Sequence, residues 1–478
     1  MNSVQKITKN IGITGISQII LAISSFILMI YIARYFGTSE FGEYNFAISF
    51  TMLFSIITDL GISQMIIREI ARDKDSTNKY MSNALIIKLV MSIVTIGLIA
   101  VTINLLNYPP LMVTIVYLFG IYTIFTSFSQ TFVSVFQAFE KMEYSNLILI
   151  LGNIILIPIA FYVLLNNYGL IQLAYVYVLS GFFNALLGFF IFRQKITKLT
   201  ISLDLNFCKK MIIESLPFGL NAIFANFFFR FDTILLSIIK DNYAVGIYAA
   251  AYNPLLALGN ILTNMFATTI YPVMSRYYVH SEDSLKRMAI MSSKYMIIIG
   301  LPITIGCLVL SKQLIELFYG IKYFDSILAF QILTFFIPIR LISNITGTLL
   351  TSINKQKIRT FCVFLSVIFN IISNLILIPY FSFLGASIAT VLSELFLYVS
   401  FLYFTNKYYH NIIVIKNFVN PIIASFIMGG FAFYFKTFSI ILIIFASSII
   451  YFLILILLGT FKSEDDKFII NQLKEVRK

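Results

Sequence analysis

Lys88, Arg230 and Arg340 each stand inside an apolar run of about twenty residues, and so do the carboxylates Asp59, Asp232 and Glu394. A charged side chain at bilayer depth costs about 2.5–3.5 kcal/mol on insertion scales, so it faces a protein interior or a water-filled cavity. Polar residues recur beside these charges at three- and four-residue spacing, the period of one helix face. The stripes are Thr51, Ser55, Asp59; Lys88, Ser92, Thr95; Thr123, Ser127, Gln130, Ser134, Gln137; Asn226, Arg230, Thr233, Ser237; Arg340, Asn344, Thr348; and Ser387, Thr390, Glu394. A chamber lined by Arg and Lys suits an anion, and a pyrophosphate carries enough charge to need them. Asn, Gln, Ser and Thr suit sugar hydroxyls.

The candidate substrate-binding residues are therefore Arg230, Arg340, Lys88, Asn226, Gln130 and Asn344. Asp59, Asp232 and Glu394 are candidates for ion coupling, with a proton or sodium ion, or else counter-ions to the buried cations. Asp232 lies two positions from Arg230, about 200° round a helix, so the two should not pair directly. For any single Ser or Thr the plainer role is a hydrogen bond between helices. Arg34 and Lys294 lie nearer span ends and read as interface residues.

These residues need a membrane scaffold to position them. The 478-residue chain is 59% hydrophobic and 12% charged, and its mean hydropathy is +0.92; soluble domains carry about a quarter charged residues. The apolar runs are continuous rather than alternating, which excludes a β-barrel. Fourteen runs can be counted: 11–33, 44–67, 81–106, 111–137, 145–165, 170–192, 211–237, 243–272, 288–311, 325–351, 358–378, 384–405, 418–435 and 438–460. The expected fold class is thus an all-α polytopic membrane protein with about fourteen transmembrane helices.

The net charge of +13 does not point to nucleic acid, because the basic residues are scattered over short loops as topology signals are. With the N-terminus inside, 26 of the 34 Lys and Arg fall on inner segments. Five fall outside (Arg34, Lys240, Lys312, Lys322, Lys436) and three lie at depth, so both termini are expected in the cytoplasm. The basic N-terminus precedes an apolar run with no small-residue cleavage site and reads as a retained span. Cys208, Cys307 and Cys362 are far apart and His280 and His410 fall in loops, so no metal site or cofactor is called for.

The chain also repeats itself. Phe41-Gly-Glu-Tyr-Asn-Phe-Ala47 resembles Val245-Gly-Ile-Tyr-Ala-Ala-Ala251, and Asn153-Ile-Ile-Leu-Ile-Pro158 resembles Asn374-Leu-Ile-Leu-Ile-Pro379. The offsets of 204 and 221 match spans 1–6 to spans 7–12 in the same orientation. Two parallel six-helix lobes over 1–210 and 211–410 follow, with two additional spans over 411–460 and a cytoplasmic tail over 461–478. Such halves with a binding site between them are a transporter architecture.

Arg34-Tyr-Phe-Gly37, Glu40-Phe-Gly-Glu-Tyr44, Asp59-Leu-Gly61 and Arg68 resemble the opening of the polysaccharide (O-antigen type) flippase family. So do Leu216-Pro-Phe-Gly219, Arg230-Phe-Asp232-Thr-Ile-Leu, Val245-Gly-Ile-Tyr248 and Leu384-Gly-Ala386, and the block from Pro217 to Ala251 is the most specific. The resemblance implies the fold of multidrug and toxin extrusion transporters, with an alternating-access cavity. It also implies movement of an undecaprenyl-pyrophosphate-linked oligosaccharide across a bacterial inner membrane for O-antigen, lipopolysaccharide or capsule synthesis. Ion-gradient coupling and a polysaccharide polymerase partner belong to the same expectation, and Arg230 and Asp232 carry over from the motif. A peptidoglycan-precursor flippase and a small-molecule exporter are rivals of the same fold. A polymerase or glycosyltransferase is disfavoured, since the outer loops are short and hold no acidic cluster. The orientation has a direct check: alkaline phosphatase fused at Lys240 or Lys436 should be active, and at Lys141 or Lys355 inactive. The reverse pattern would overturn it.

Overall fold

A computed structural model describes residues 3–410, 412 and 416–461, with side chains from residue 18 onward except at 19, 221, 267, 268 and 416. The tail expected over 461–478 lies, from residue 462, outside the described residues. Among these residues the secondary structure is helical, and twelve helices are long and apolar enough to cross a membrane. Two of the twelve, Ile20–Arg72 and Gln356–Tyr408, are 53 residues long. That is about 80 Å at 1.5 Å per residue, against about 30 Å of hydrocarbon. Gly37 (φ 78°) in the first and Ser382 (φ 49°) in the second are non-helical and split each into two crossing segments, and Leu60 and Gly61 set off a short helix at the end of the first. Fourteen crossings result.

The chain gathers into two compact units, Met1–Gly246 and Ile247–Lys478. The first holds α1 (Ser3–Asp59), α2 (Ile62–Arg72), α3 (Thr77–Leu105), α4 (Pro110–Ala138), α5 (Met142–Leu165), α6 (Leu170–Lys195), α7 (Leu205–Ile239) and the start of α8 (Asn242–His280). The lobe boundary expected at 210/211 thus falls on a helix, α7, that clusters with the first unit.

Glycine permits two close backbone approaches in this unit. Leu60 (φ 47°) and Gly61 (φ 80°) break α1 from α2 in the left-handed region, where glycine carries no steric penalty. A Cβ on Gly61 would strike the Gly219 nitrogen of α7, and one on Gly219 would lie 2.8 Å from the Leu60 oxygen. Further along α1, a Cβ on Gly42 would fall on the Asn242 carbonyl oxygen, and one on Gly246 would fall on that of Thr38. The two motifs that look alike in sequence therefore meet through their glycines, as small-residue pairs let membrane helices do.

The connection from α6 to α7 is fastened without secondary structure of its own. Asn78 of α3 donates to the Lys198 carbonyl (2.9 Å) and accepts from the Thr200 amide (3.1 Å). One turn on, the Ser82 hydroxyl does the same for Ser202, at 2.9 and 2.7 Å. Asn83 Oδ1 accepts from the Asp204 amide (3.0 Å) and from the Cys208 thiol (3.1 Å). Burial, reinforced by the Asp204 carboxylate, raises the Cys208 pKa and keeps that thiol protonated as a donor.

The second unit continues α8 and adds α9 (Glu282–Val309), α10 (Ser311–Tyr319), α11 (Ser326–Thr334), α12 (Phe336–Ser352), α13 (Gln356–Tyr408), α14 (Lys416–Tyr434) and α15 (Ile440–Leu457). Helix α9 is its scaffold. Pro302 has no N–H, so the Ile298 carbonyl one turn earlier loses its helical donor. The Tyr451 hydroxyl of α15 supplies one at 2.7 Å. Pro338 likewise frees the Thr334 carbonyl at the break between α11 and α12. The Thr304 hydroxyl shares its proton between that oxygen (3.2 Å) and its own helix at Gly300 (2.9 Å). Gly300 lets the proline come close, since a Cβ there would lie 3.1 Å from Pro338 Cα. Lys294, expected at the interface, is instead 4% exposed and donates to the Thr460 carbonyl at 2.7 Å, just past the end of α15. A helix C-terminus carries about half a negative charge, which explains why a cation belongs there.

Tyr451→Phe should therefore destabilise the detergent-solubilised protein by about 0.6–2 kcal/mol, read as a lower midpoint in thermal unfolding. Tyr434→Phe, at a residue 80% exposed, should not move it. Equal midpoints for Tyr451→Phe and the parent protein would contradict the assignment.

Candidate functional site

In the first unit the break after Asp59 turns the end of α1 toward α3. The Lys88 ammonium, whose side chain is fully buried, lies 2.6 Å from Asp59 Oδ1. It also donates to the Ser127 carbonyl of α4 at 2.9 Å and to Ser63 Oγ of α2 at 3.2 Å. Ser63 in turn donates to the same Asp59 oxygen at 2.5 Å. All three ammonium hydrogens are placed, and one lysine joins α1, α2, α3 and α4. Asp59 keeps 30% of its side chain exposed, so the carboxylate is the accessible member of this pair.

Arg230 and Asn226, one turn apart on α7, are both partly buried, whereas Asp232 is fully buried. Arg230 comes near enough to Tyr44 for its charge to act on the hydroxyl. Tyr44 shares a 2.6 Å hydrogen bond with Tyr177, and Tyr122 packs edge-on to Tyr177 at 5.4 Å between ring centroids. Gln130 of α4 is exposed.

In the second unit the order is reversed. Glu394 of α13 is fully buried, and Arg340 of α12, 16% exposed, lies 3.4 Å from its Oε2. Asn260 of α8 accepts from the same guanidinium at 3.4 Å, and the Phe336 ring lies 5.7 Å from it. Here the cation is the accessible member. Asn344, one turn after Arg340, is partly buried and its Oδ1 meets no donor among the described residues.

The sequence-predicted residues are thus brought together as Asp59 with Lys88 and as Arg340 with Glu394. Arg230 with Asn226, and Arg340 with Asn344, share helix faces; Asp232 lies fully buried on α7 and Gln130 exposed on α4. The hydroxyl stripes mostly bond to their own helices: Thr51 to Ala47, Ser92 to Lys88, Ser134 to Gln130 and Ser387 to Phe383. Three also reach other segments: Thr95 to Thr58 at 3.0 Å, Thr390 to Tyr248 at 2.8 Å and Ser237 to Tyr108 at 2.8 Å. Among the described residues no three His, Cys, Asp or Glu side chains gather to hold a metal ion. Asn260 and Tyr44 were not among the sequence candidates. Asn260 could have been found from its spacing to Asn253 and Asn264 on α8, whereas nothing in the sequence singles out Tyr44 among 28 tyrosines.

Fourteen crossings and charges paired at depth define a polytopic helical membrane protein of transporter type. Its fold is that of a solved lipid II flippase MurJ in an inward closed conformation (TM-score 0.71, 16% identity, 92% of this chain and 97% of that one). It is also that of an inward-facing multidrug resistance MATE family transporter of the MOP superfamily (TM-score 0.69, 15% identity, 82% and 98%). The family model described as "Polysaccharide biosynthesis protein" matches residues 7–278, more than half the chain, and the protein belongs to that family. Among its curated relatives is the capsular polysaccharide biosynthesis protein CapF of Staphylococcus aureus, 22% identical over 408 residues (84% of this chain, 99% of CapF).

The Lys88–Asp59 pair yields a double-mutant test. Removing one partner of a buried pair costs about 3–5 kcal/mol, and removing both costs less. Lys88→Met should fall near the low end, because Asp59 is partly exposed, and adding Asp59→Asn should restore most of the thermal stability. Additive losses would mean the two groups are not coupled.

Proposed function

We propose that the protein is a flippase that carries undecaprenyl-pyrophosphate-linked oligosaccharide repeat units from the cytoplasmic to the outer leaflet of a bacterial inner membrane. It works by alternating access driven by a proton or sodium gradient, serves capsule or O-antigen synthesis, and is not an enzyme. The observation that carries this reading is the opposite polarity of the two buried pairs. The accessible charge is a carboxylate, Asp59, in one unit and a guanidinium, Arg340, in the other. A carrier that couples a cation gradient to an anionic cargo needs one site of each kind.

Arg340 and Arg230 take the pyrophosphate by charge-assisted hydrogen bonds, and Asn226, Asn344 and Gln130 take sugar hydroxyls. A cation at Asp59 weakens its hold on Lys88, which then becomes available to the cargo. Asp232 and Glu394 are the remaining ion-coupling groups. The family, the capsule-synthesis relative and the likeness of fold to a lipid II flippase all support the reading. That likeness also makes a peptidoglycan-precursor carrier the second reading.

The experiment is deletion of the gene in a host with no other such flippase. Surface polysaccharide should be lost and lipid-linked repeat units should accumulate inside; normal surface glycan would sink the proposal. Arg230→Gln should then fail to rescue at normal protein level, and full rescue would remove that residue from the site. Accumulation of peptidoglycan precursor in place of repeat units would favour the second reading.

A further inference from the structure

One arginine of the second unit has no place in the pairs described above. Arg359 sits in the first turn of α13, partly buried, where sequence alone reads it as a loop charge that sets topology. Its guanidinium donates to the Thr351 hydroxyl of α12 at 3.2 Å. It occupies a groove that Gly347 leaves open, since a Cβ there would lie 3.3 Å from Arg359 Nε. Among the described residues no carboxylate comes within ion-pairing distance of Arg359. The groups whose charge acts on it are another guanidinium, Arg340, and the Tyr271 hydroxyl of α8.

A partly buried arginine whose charged neighbour is a second arginine calls for an anion. The C-terminus of α12 offers some compensation, but a helix end amounts to about half an elementary charge. The N-terminus of α13, in whose first turn Arg359 stands, has the opposite sign. Arg340, Asn344, Gly347 and Thr351 fall at intervals of four, three and four residues, so they share one face of α12. Gly347 lies about 10 Å along the axis from Arg340. An arginine therefore stands at each end of this face, with the unanswered Asn344 Oδ1 between them.

We propose that Arg359 and Arg340 bracket a binding site for a phosphoryl anion on this face of α12, with Arg359 as a second phosphate-binding residue and Asn344 accepting a hydroxyl of the same ligand. Guanidinium forks match phosphate oxygens in pairs, and two of them at this spacing suit an extended anion such as a diphosphate. That the diphosphate belongs to a lipid-linked glycan rests on the function proposed above; the anion site does not.

The test is isothermal titration of the full-length protein in phosphatidylcholine nanodiscs with inorganic pyrophosphate or undecaprenyl pyrophosphate, and in nanodiscs containing phosphatidylglycerol. Arg359→Gln should weaken phosphoryl binding at least about tenfold, the worth of a charge-assisted hydrogen bond, and Arg359→Lys by less. Binding of inorganic pyrophosphate identifies a free ion as sufficient. Binding of the undecaprenyl ligand alone identifies a lipid-borne diphosphate, and competition by phosphatidylglycerol a bilayer headgroup. Any of these supports the site provided Arg359→Gln weakens it. Parent protein that binds none of these ligands, or Arg359→Gln that binds as tightly as the parent, overturns the proposal. Should Arg359→Gln not fold, Thr351→Val takes its place, since it removes the hydrogen bond that orients Arg359 and keeps the charge; unchanged affinity there also overturns it. Arg359-dependent binding together with normal surface glycan after gene deletion would leave the anion site standing and remove the flippase.

Discussion

Across about 30 Å of hydrocarbon there is no water to answer a backbone group whose helical partner is missing. A proline inside a span creates such a group, which a neighbouring helix, a Ser or Thr side chain or an ordered water must answer. Helix α9 meets this demand at two points. The carbonyl freed by Pro302 takes the Tyr451 hydroxyl, and the one freed by Pro338 shares the Thr304 hydroxyl. Lys294 adds a third tie by answering the carbonyl of Thr460. The C-terminal helix α15 is therefore joined to the second unit by hydrogen bonds as well as by the apolar cluster of Ile298, Ala424, Met428, Tyr451 and Leu455. In water these bonds would be worth little, but here the alternative is an oxygen left bare in a medium that offers no partner.

Charges face the same demand in sharper form. Taking an ammonium out of water costs several kcal/mol, and a carboxylate returns that only if the remaining hydrogens also find acceptors. Lys88 satisfies both conditions, with Asp59, Ser63 and the Ser127 carbonyl around it. Arg340 has Glu394 and Asn260, both at longer distance, and meets the second condition less fully, since its buried Nε finds no acceptor among the described residues. The tighter pair buries its cation fully and the looser one leaves its cation partly exposed, so the two units hold their charges with different firmness. A guanidinium held at 3.4 Å is easier to draw toward another anion than an ammonium with three short bonds.

Much of the fold is legible in the sequence, because span length and hydropathy are local properties. The Gly42 and Gly246 motifs are legible as a repeat, although their mutual contact is not. Pairings between distant residues are harder to read: Asp59 and Lys88 are 29 positions apart, on helices brought together by tertiary packing that the local pattern does not announce. Lys294 reads as an interface residue because it lies near a span end, and its acceptor is a backbone carbonyl that no side-chain pattern announces. Arg359 reads as a topology signal for the same positional reason, while its surroundings depend on a space that Gly347 leaves on another helix.

The hydroxyl stripes gain a different meaning from their own-helix bonds. A serine or threonine that donates to a carbonyl one turn back has its proton satisfied within the helix and keeps oxygen lone pairs to spare. The stripe hydroxyls, Ser55 apart, are buried, so those lone pairs meet neighbouring helices, as Thr95 meets Thr58 and Thr390 meets Tyr248. In the function proposed above, contact with a cargo then rests on the side chains that keep some exposure, among them Asp59, Arg340, Arg359 and Gln130.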